Sequence, residues 1–207
     1  MIDGVIKYSI EHITKQTPIF KEYEILEALR SRLFALGLIG VQDGIGYGNI
    51  SLRDKDTNSF FITATQTGEL ANLSSEYYTH IYSYDFSKFS VKSQGKHQPS
   101  SEALSHAMIY EINPNINAVI HIHSKALWKL MKKDSSLYTE AEYGTVQMVE
   151  EIASLYKDKN PFNNNIFVMK GHEDGIIVFG KNINEAEIKL YAKIQEYLKI
   201  NAGDGLY

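Results

Sequence analysis

His121 and His123 stand one residue apart in Ala118-Val119-Ile120-His121-Ile122-His123-Ser124, an apolar, β-branched run that predicts a buried strand. Side chains alternate faces along a strand, so both imidazoles project to one side and Ile120 and Ile122 to the other. Two imidazoles on one face suit a divalent cation such as zinc. The plainer reading is a pair of histidines that happen to alternate in a core strand. Three features give the pair company: a carboxylate upstream, a further histidine downstream, and polar glycine-rich turns between them.

The downstream histidine is His172, in Gly171-His172-Glu173-Asp174-Gly175, between two predicted strands. Added to His121 and His123, it makes a three-histidine site with one open position, the arrangement of a catalytic metal. An exposed loop histidine is the alternative. The carboxylate is Glu102, which ends Pro99-Ser100-Ser101-Glu102 at the start of a predicted helix over 100–110. Serines at a helix start cap free backbone N–H groups, and the helix N-terminus carries partial positive charge. Such a turn serves as an ordinary cap, or it cradles a phosphate while Glu102 faces the metal as base or ligand. His106 follows Glu102 by one helical turn, at spacing i, i+4, which makes it a weaker candidate to support the carboxylate. Gly48-Asn49-Ile50-Ser51 and Thr65-Gln66-Thr67-Gly68 are two more small polar turns. Glycine permits close approach to an anion, and Asn and Thr supply donors, although plain turns have the same composition. His97 precedes the serine turn and is a weaker anion candidate; His12 and His80 are read as non-functional.

The elements that must position these residues alternate along the chain. Ile25, Leu26, Leu29, Leu33 and Phe34 recur at helical spacing between Phe20 and Leu36, and Gly37 supplies the stop. A hairpin is expected from 50–53 to 59–63 across Asp54–Asn58, and a second strand pair over 81–86 and 89–92. A strand follows at 119–123, short helices at 126–131 and 145–156, and a polar loop at 157–165 containing Asn160-Pro161. Strands at 166–169 and 175–179 and a closing helix at 185–200 complete the pattern. Interleaved helices with several hairpin-length turns point to a mixed or antiparallel sheet covered by helices.

The chain has 207 residues, so one domain is the expectation, with ample length for a core. Hydrophobic residues at 43% and charged residues at 22% are ordinary for a globular enzyme and argue against disorder. The formal net charge of -4, with no basic block, argues against nucleic-acid binding. There is no cysteine, so disulfides, thiolate metal sites and cysteine nucleophiles are excluded. Any metal must use His, Asp, Glu or water. No apolar stretch approaches the roughly 20 residues that span a bilayer. Met1-Ile2-Asp3-Gly4 lacks the basic and apolar regions of a signal peptide, so a soluble cytoplasmic protein is expected.

The ordered set Gly48-Asn49-Ile50-Ser51, Phe61-Ile62-Thr63 with Thr67-Gly68, Pro99-Ser100-Ser101-Glu102, His121-Ile122-His123, then His172 and Gly175, resembles the class II aldolase/adducin family from about Ile25 to Ala192. That family includes fuculose-phosphate and rhamnulose-phosphate aldolases, ribulose-phosphate 4-epimerase and methylthioribulose-phosphate dehydratase. The resemblance implies that His121, His123 and His172 hold a divalent metal, usually zinc, and that Glu102 is the acid/base. It implies that Asn49, Thr67, Gly68, Ser100 and Ser101 bind a substrate phosphate. It implies an α/β fold, a three-layer α/β/α sandwich around a mainly antiparallel sheet, assembled as a homotetramer with sites near subunit interfaces. This sequence departs from the family in two places. Glu173 and Asp174 intervene between His172 and Gly175, which makes them candidates for the metal shell, and the Thr-Gly turn is longer than in the sugar-phosphate aldolases.

The expected chemistry is retro-aldol cleavage of a small sugar phosphate or hydroxy-ketone. Three neutral imidazoles leave a metal its positive charge, and a polarised carbonyl stabilises an enediolate. Dehydration or 4-epimerisation on the same site is the near alternative, and a non-catalytic adducin-like binding protein the distant one. The tail Ala202–Tyr207 reads as a frayed terminus; the alternative is that Tyr207 serves a neighbouring subunit's site.

Overall fold

β8 (Ala118–His123) lies near the middle of the fold, and all its residues but His123 are buried. It was located in a computed structural model that describes residues 5–54, 57–134, 137–159 and 165–201. The expectations for part of the Asp54–Asn58 turn, for Asn160-Pro161 and for the Ala202–Tyr207 tail lie outside the described residues. β8 pairs antiparallel with β4 (Asn49–Arg53) on one side and β11 (Gly175–Gly180) on the other. Beyond β4 come β5 (Phe60–Thr63), β6 (Tyr78–Asp85), β7 (Ser90–Gly95) and, at the edge, β1 (Ser9–Thr14). Beyond β11 come β10 (Ile166–Met169) and β9 (Tyr138–Thr139), which completes a 9-stranded sheet.

Alternation along the strands supplies both faces of that sheet with apolar side chains. Ile50, Ile120, Ile122, Ile176 and Val178 pack with α1 (Tyr23–Ala35), α3 (Lys125–Asp134) and α5 (Ile183–Asn201). Phe60, Val119, Ile177 and Phe179 pack with α2 (Ala103–Ile112) and α4 (Val146–Lys159). The sheet therefore lies between two helical layers, because its central strands are apolar on both sides. α1 buries Leu26, Leu29 and Leu33 on one stripe. It stops where expected: Gly37 takes φ 68°, and the N–H groups of Gly37 and Leu38 donate to Phe34 O and Leu33 O.

The sheet is mixed, which corrects the expectation of a mainly antiparallel one. β1 runs parallel to β7 and β9 parallel to β10, so both edges are parallel while the interior ladders are antiparallel. Hairpin turns such as the one between β4 and β5 are visible in a sequence. The edge strands reach their partners over long connections instead, Ser9 opposite Ser90 and Thr139 opposite Met169. A separate hairpin of β2 (Gly40–Gln42) and β3 (Ile45–Tyr47) packs on the 64–68 turn. The approach is close enough that a Cβ on Gly68 would lie 2.0 Å from the Gly40 carbonyl oxygen.

Candidate metal and acid–base site

On β8, Val119, His121 and His123 face the α2/α4 layer, opposite to Ile120 and Ile122. Register does the rest. Gly175 of β11 pairs with His123, and Asn49 of β4 pairs with His121. His172 sits in the turn between β10 and β11, where the Gly175 N–H donates to His172 O and Asp174 takes φ 65°. A Cβ on Gly175 would lie 2.6 Å from His172 Cδ2 and 3.2 Å from His121 Cε1, so glycine is what leaves room for the rings to meet.

The rings meet through their Nε2 atoms. His123 Nε2 is 3.1 Å from His121 Nε2 and 3.0 Å from His172 Nε2, and the ligand atoms of all three lie within 4.8 Å of one another. His121 Nδ1 is 3.1 Å from the Ile176 carbonyl, which can only accept, so the His121 proton belongs on Nδ1 and the Nε2 lone pair faces the cluster. Burial, then His121 and His172, push the His123 ring well below the usual imidazole range, which leaves it neutral near pH 7. Glu102 Oε2 stands 3.0 Å from His121 Nε2 and accepts a 2.8 Å hydrogen bond from Asn49 Nδ2. Burial alone would raise the Glu102 carboxyl. The Asn49 amide and positive charge on the His121 and His172 rings, present when they are protonated, outweigh it and hold the carboxyl below its ordinary range. Lone pairs and a carboxylate oxygen thus converge on one point, a donor set that fits a divalent cation.

The anion candidates surround the same point. Asn49, Thr67, Gly68, Ser100, Ser101, Glu102 and the three histidines all line one pocket. The serine turn is tied to the end of β5 by an Ala64–Pro99 bridge and by Ser100 N–H donating to Thr63 O at 3.1 Å. Tyr8 Oη also donates to Ser100 O at 2.7 Å. The helix itself begins at Ala103, so the serines precede it in a turn in which Ser100 Oγ accepts from the Glu102 N–H at 3.3 Å. Two of the candidates have other partners: Asn49 Nδ2 holds Glu102, and the Thr67 hydroxyl donates to Ala64 O. His97 does not line the pocket; it stacks on Tyr77 with ring centroids 4.7 Å apart.

Two aromatic residues not singled out from the sequence complete the surroundings. Tyr47 stacks on His123 with centroids 5.1 Å apart, and Tyr143 lies 4.9 Å from His172. Both also line a second cleft on the far side of His123 and His172, with Lys125, Glu173 and Asp174. Tyrosine is common throughout this chain, and nothing local marks these two. Only the fold brings them to the histidines.

Known proteins resemble the chain over most of its length. The sequence profile of the class II aldolase and adducin N-terminal domain matches residues 35–200. The L-fuculose phosphate aldolase of Methanococcus vannielii is 31% identical over 170 residues, which span 74% of this chain and 83% of that one. An L-fuculose 1-phosphate aldolase of solved structure superposes with a TM-score of 0.67 at 19% identity, covering 92% of this chain and 91% of that chain. A sugar-phosphate aldolase from Thermotoga maritima gives 0.59 at 19% identity, covering 88% and 97%. At such identities the two structures speak to the fold alone.

Proposed function

The chain belongs to the class II aldolase and adducin family, and from that premise we propose that it is a metal-dependent lyase of the aldolase type. Its substrate in this reading is a small sugar phosphate or related hydroxy-ketone, cleaved at the bond an aldol addition would form. The observation that carries the reading is the convergence of three imidazole nitrogens beside a buried carboxyl group. His121, His123 and His172 would hold a divalent cation, with zinc the best match to three neutral nitrogen ligands. When bound, that cation supplies the Lewis acid that polarises the substrate carbonyl and stabilises an enediolate.

The chain's own groups do the rest. Glu102 takes the proton released when the carbon–carbon bond breaks and returns a proton to the enediolate carbon. Asn49 holds the carboxylate in place through Oε2. Ser100, Ser101, Thr67 and Gly68 bind the phosphate end, with the adjacent turns offering backbone N–H groups. The family likeness extends the reading to a homotetramer, which sedimentation would check.

The test pairs metal analysis with product analysis on a panel of ketose phosphates that includes L-fuculose 1-phosphate. The expected result is stoichiometric divalent metal in the wild type and cleavage of at least one panel member into a hydroxy-ketone phosphate and an aldehyde. Glu102→Gln should keep its metal and lose roughly 10²–10⁴-fold in kcat. Full activity in Glu102→Gln, or a wild type without metal, would refute the assignment. The same product analysis separates cleavage from dehydration or epimerisation.

A further inference from the structure

Behind Glu102, on the buried side of α2, three polar side chains form a line that the chemistry above does not use. Ser51 Oγ is 2.7 Å from His106 Nδ1 and 2.7 Å from Tyr110 Oη. His106 and Tyr110 are 0% and 1% exposed, so their hydrogen bonds must be satisfied inside the protein. The Val119 backbone hydrogen-bonds the Tyr110 phenol oxygen, so the phenol's own proton goes to Ser51. A serine hydroxyl has one proton, and it is then directed to His106 Nδ1. The reverse order would bury the phenol proton without an acceptor, at a cost of about 1–3 kcal/mol. His106 therefore carries its proton on Nε2. Burial keeps the ring neutral, its pKa lowered to about 3.

His106 Nε2 has no hydrogen-bond partner among the described residues, and neither do Glu102 Oε1, Asn49 Oδ1 and Ser105 Oγ. Ser105 and His106 follow Glu102 by one turn of α2, and Asn49 touches its carboxylate. Two are donors, the His106 N–H and the Ser105 O–H; two are acceptors, the carboxylate oxygen and the amide oxygen. One water accepts two hydrogen bonds and donates two, the complement of two donors and two acceptors.

We propose that His106 is a positioning residue for Glu102, its Nε2–H oriented by Tyr110 and Ser51 and joined to Glu102 Oε1 through one buried water shared with Asn49 and Ser105. This rests on Glu102 being the acid–base group. The array aims the carboxylate and supplies its second oxygen with a donor, so that Glu102 stays oriented between turnovers.

The experiment has two arms on the zinc-loaded 207-residue chain. Long-range ¹H–¹⁵N spectra of the imidazoles, assigned for His106 by its proximity to Ser51 and Tyr110, should show the neutral Nε2–H tautomer; an Nδ1–H tautomer overturns the proposal whatever the activity. In the kinetic arm, His106→Phe should lower kcat roughly ten- to a hundredfold with KM within about twofold and metal content unchanged. His106→Gln, which keeps an N–H donor, should recover part of the loss, whereas a purely structural role would show no such split. An active wild type matched by His106→Phe refutes this inference alone. A wild type that turns over no ketose phosphate refutes the lyase reading first, and with it the role given to Glu102.

Discussion

Three imidazole nitrogens, that of His123 about 3 Å from each of the other two, beside a carboxylate repel unless positive charge stands among them. Protons or a cation can provide it, and the Nδ1 bond of His121 to the Ile176 carbonyl favours the cation by turning a lone pair inward. Replacing one ligand should therefore abolish stoichiometric metal: His121→Ala is expected to bind none after dialysis, read by elemental analysis. Gly175→Ala tests the same geometry without touching a ligand. Its methyl would meet His172 Cδ2 at 2.6 Å, so the ring must move. Metal affinity should fall roughly 10–100-fold with the far-ultraviolet circular dichroism unchanged. An unaltered affinity would show that His172 tolerates displacement and contributes little as a ligand.

Among the elements, α1 supports the pocket from beneath. Arg30 is buried in it, donates to Thr67 O at 2.9 Å and also donates to Leu70 O, and so holds the 64–70 turn against the helix. Arg30→Met would take the guanidinium donors from both carbonyls, leaving Thr67 O only the Leu70 N–H at 3.2 Å, and should lower stability by about 1–3 kcal/mol in urea unfolding. If that turn holds the phosphate end of the substrate, KM should rise more than kcat falls; the opposite split would place the phosphate elsewhere. Arg30 also illustrates what a sequence reveals. The α1 stripe, the β4–β5 hairpin and the apolar runs of β8, β10 and β11 were legible because burial on both faces leaves continuous apolar segments. β1 was not legible, since its exposed and half-buried residues show no clean period and its partner lies far along the chain. β2 and β3 were not either, being short, glycine-rich and partly exposed. For the site, His-x-His stood out by type and spacing, while His172, Glu102 and the serine turn were singled out by the ordered set of motifs that carries the family resemblance. Tyr47, Tyr143 and the directed chain from Tyr110 to His106 could not, because their meaning lies in contacts across strands.

At the scale of the whole molecule, the buried histidines make stability depend on pH. His106 is held neutral by burial, with its pKa lowered to about 3 in the folded chain against about 6.5 when unfolded. His123 is lowered for the same first reason. Between those values the unfolded chain binds protons that the folded chain does not, so acid favours unfolding. The sign is therefore fixed: the contribution of these rings is fully present above about pH 6.5 and is lost progressively as pH falls toward 3. Glu102, whose carboxyl is held below its ordinary range, adds a loss in the same direction at the acid end. A metal held by the three histidines would steepen the slope, because it would stabilise only the folded chain and need deprotonated ligands. Thermal unfolding from pH 4 to 8, with and without added zinc, should show a metal-free midpoint that drops below about pH 6.5 and a zinc-dependent increase that is large at pH 7.5 and vanishes near pH 5. His106→Gln should flatten the metal-free curve while leaving a zinc-dependent increase at pH 7.5. A zinc effect of equal size at pH 5 and 7.5 would mean that the bound ion does not depend on neutral imidazoles, and the three-histidine centre would have to be abandoned.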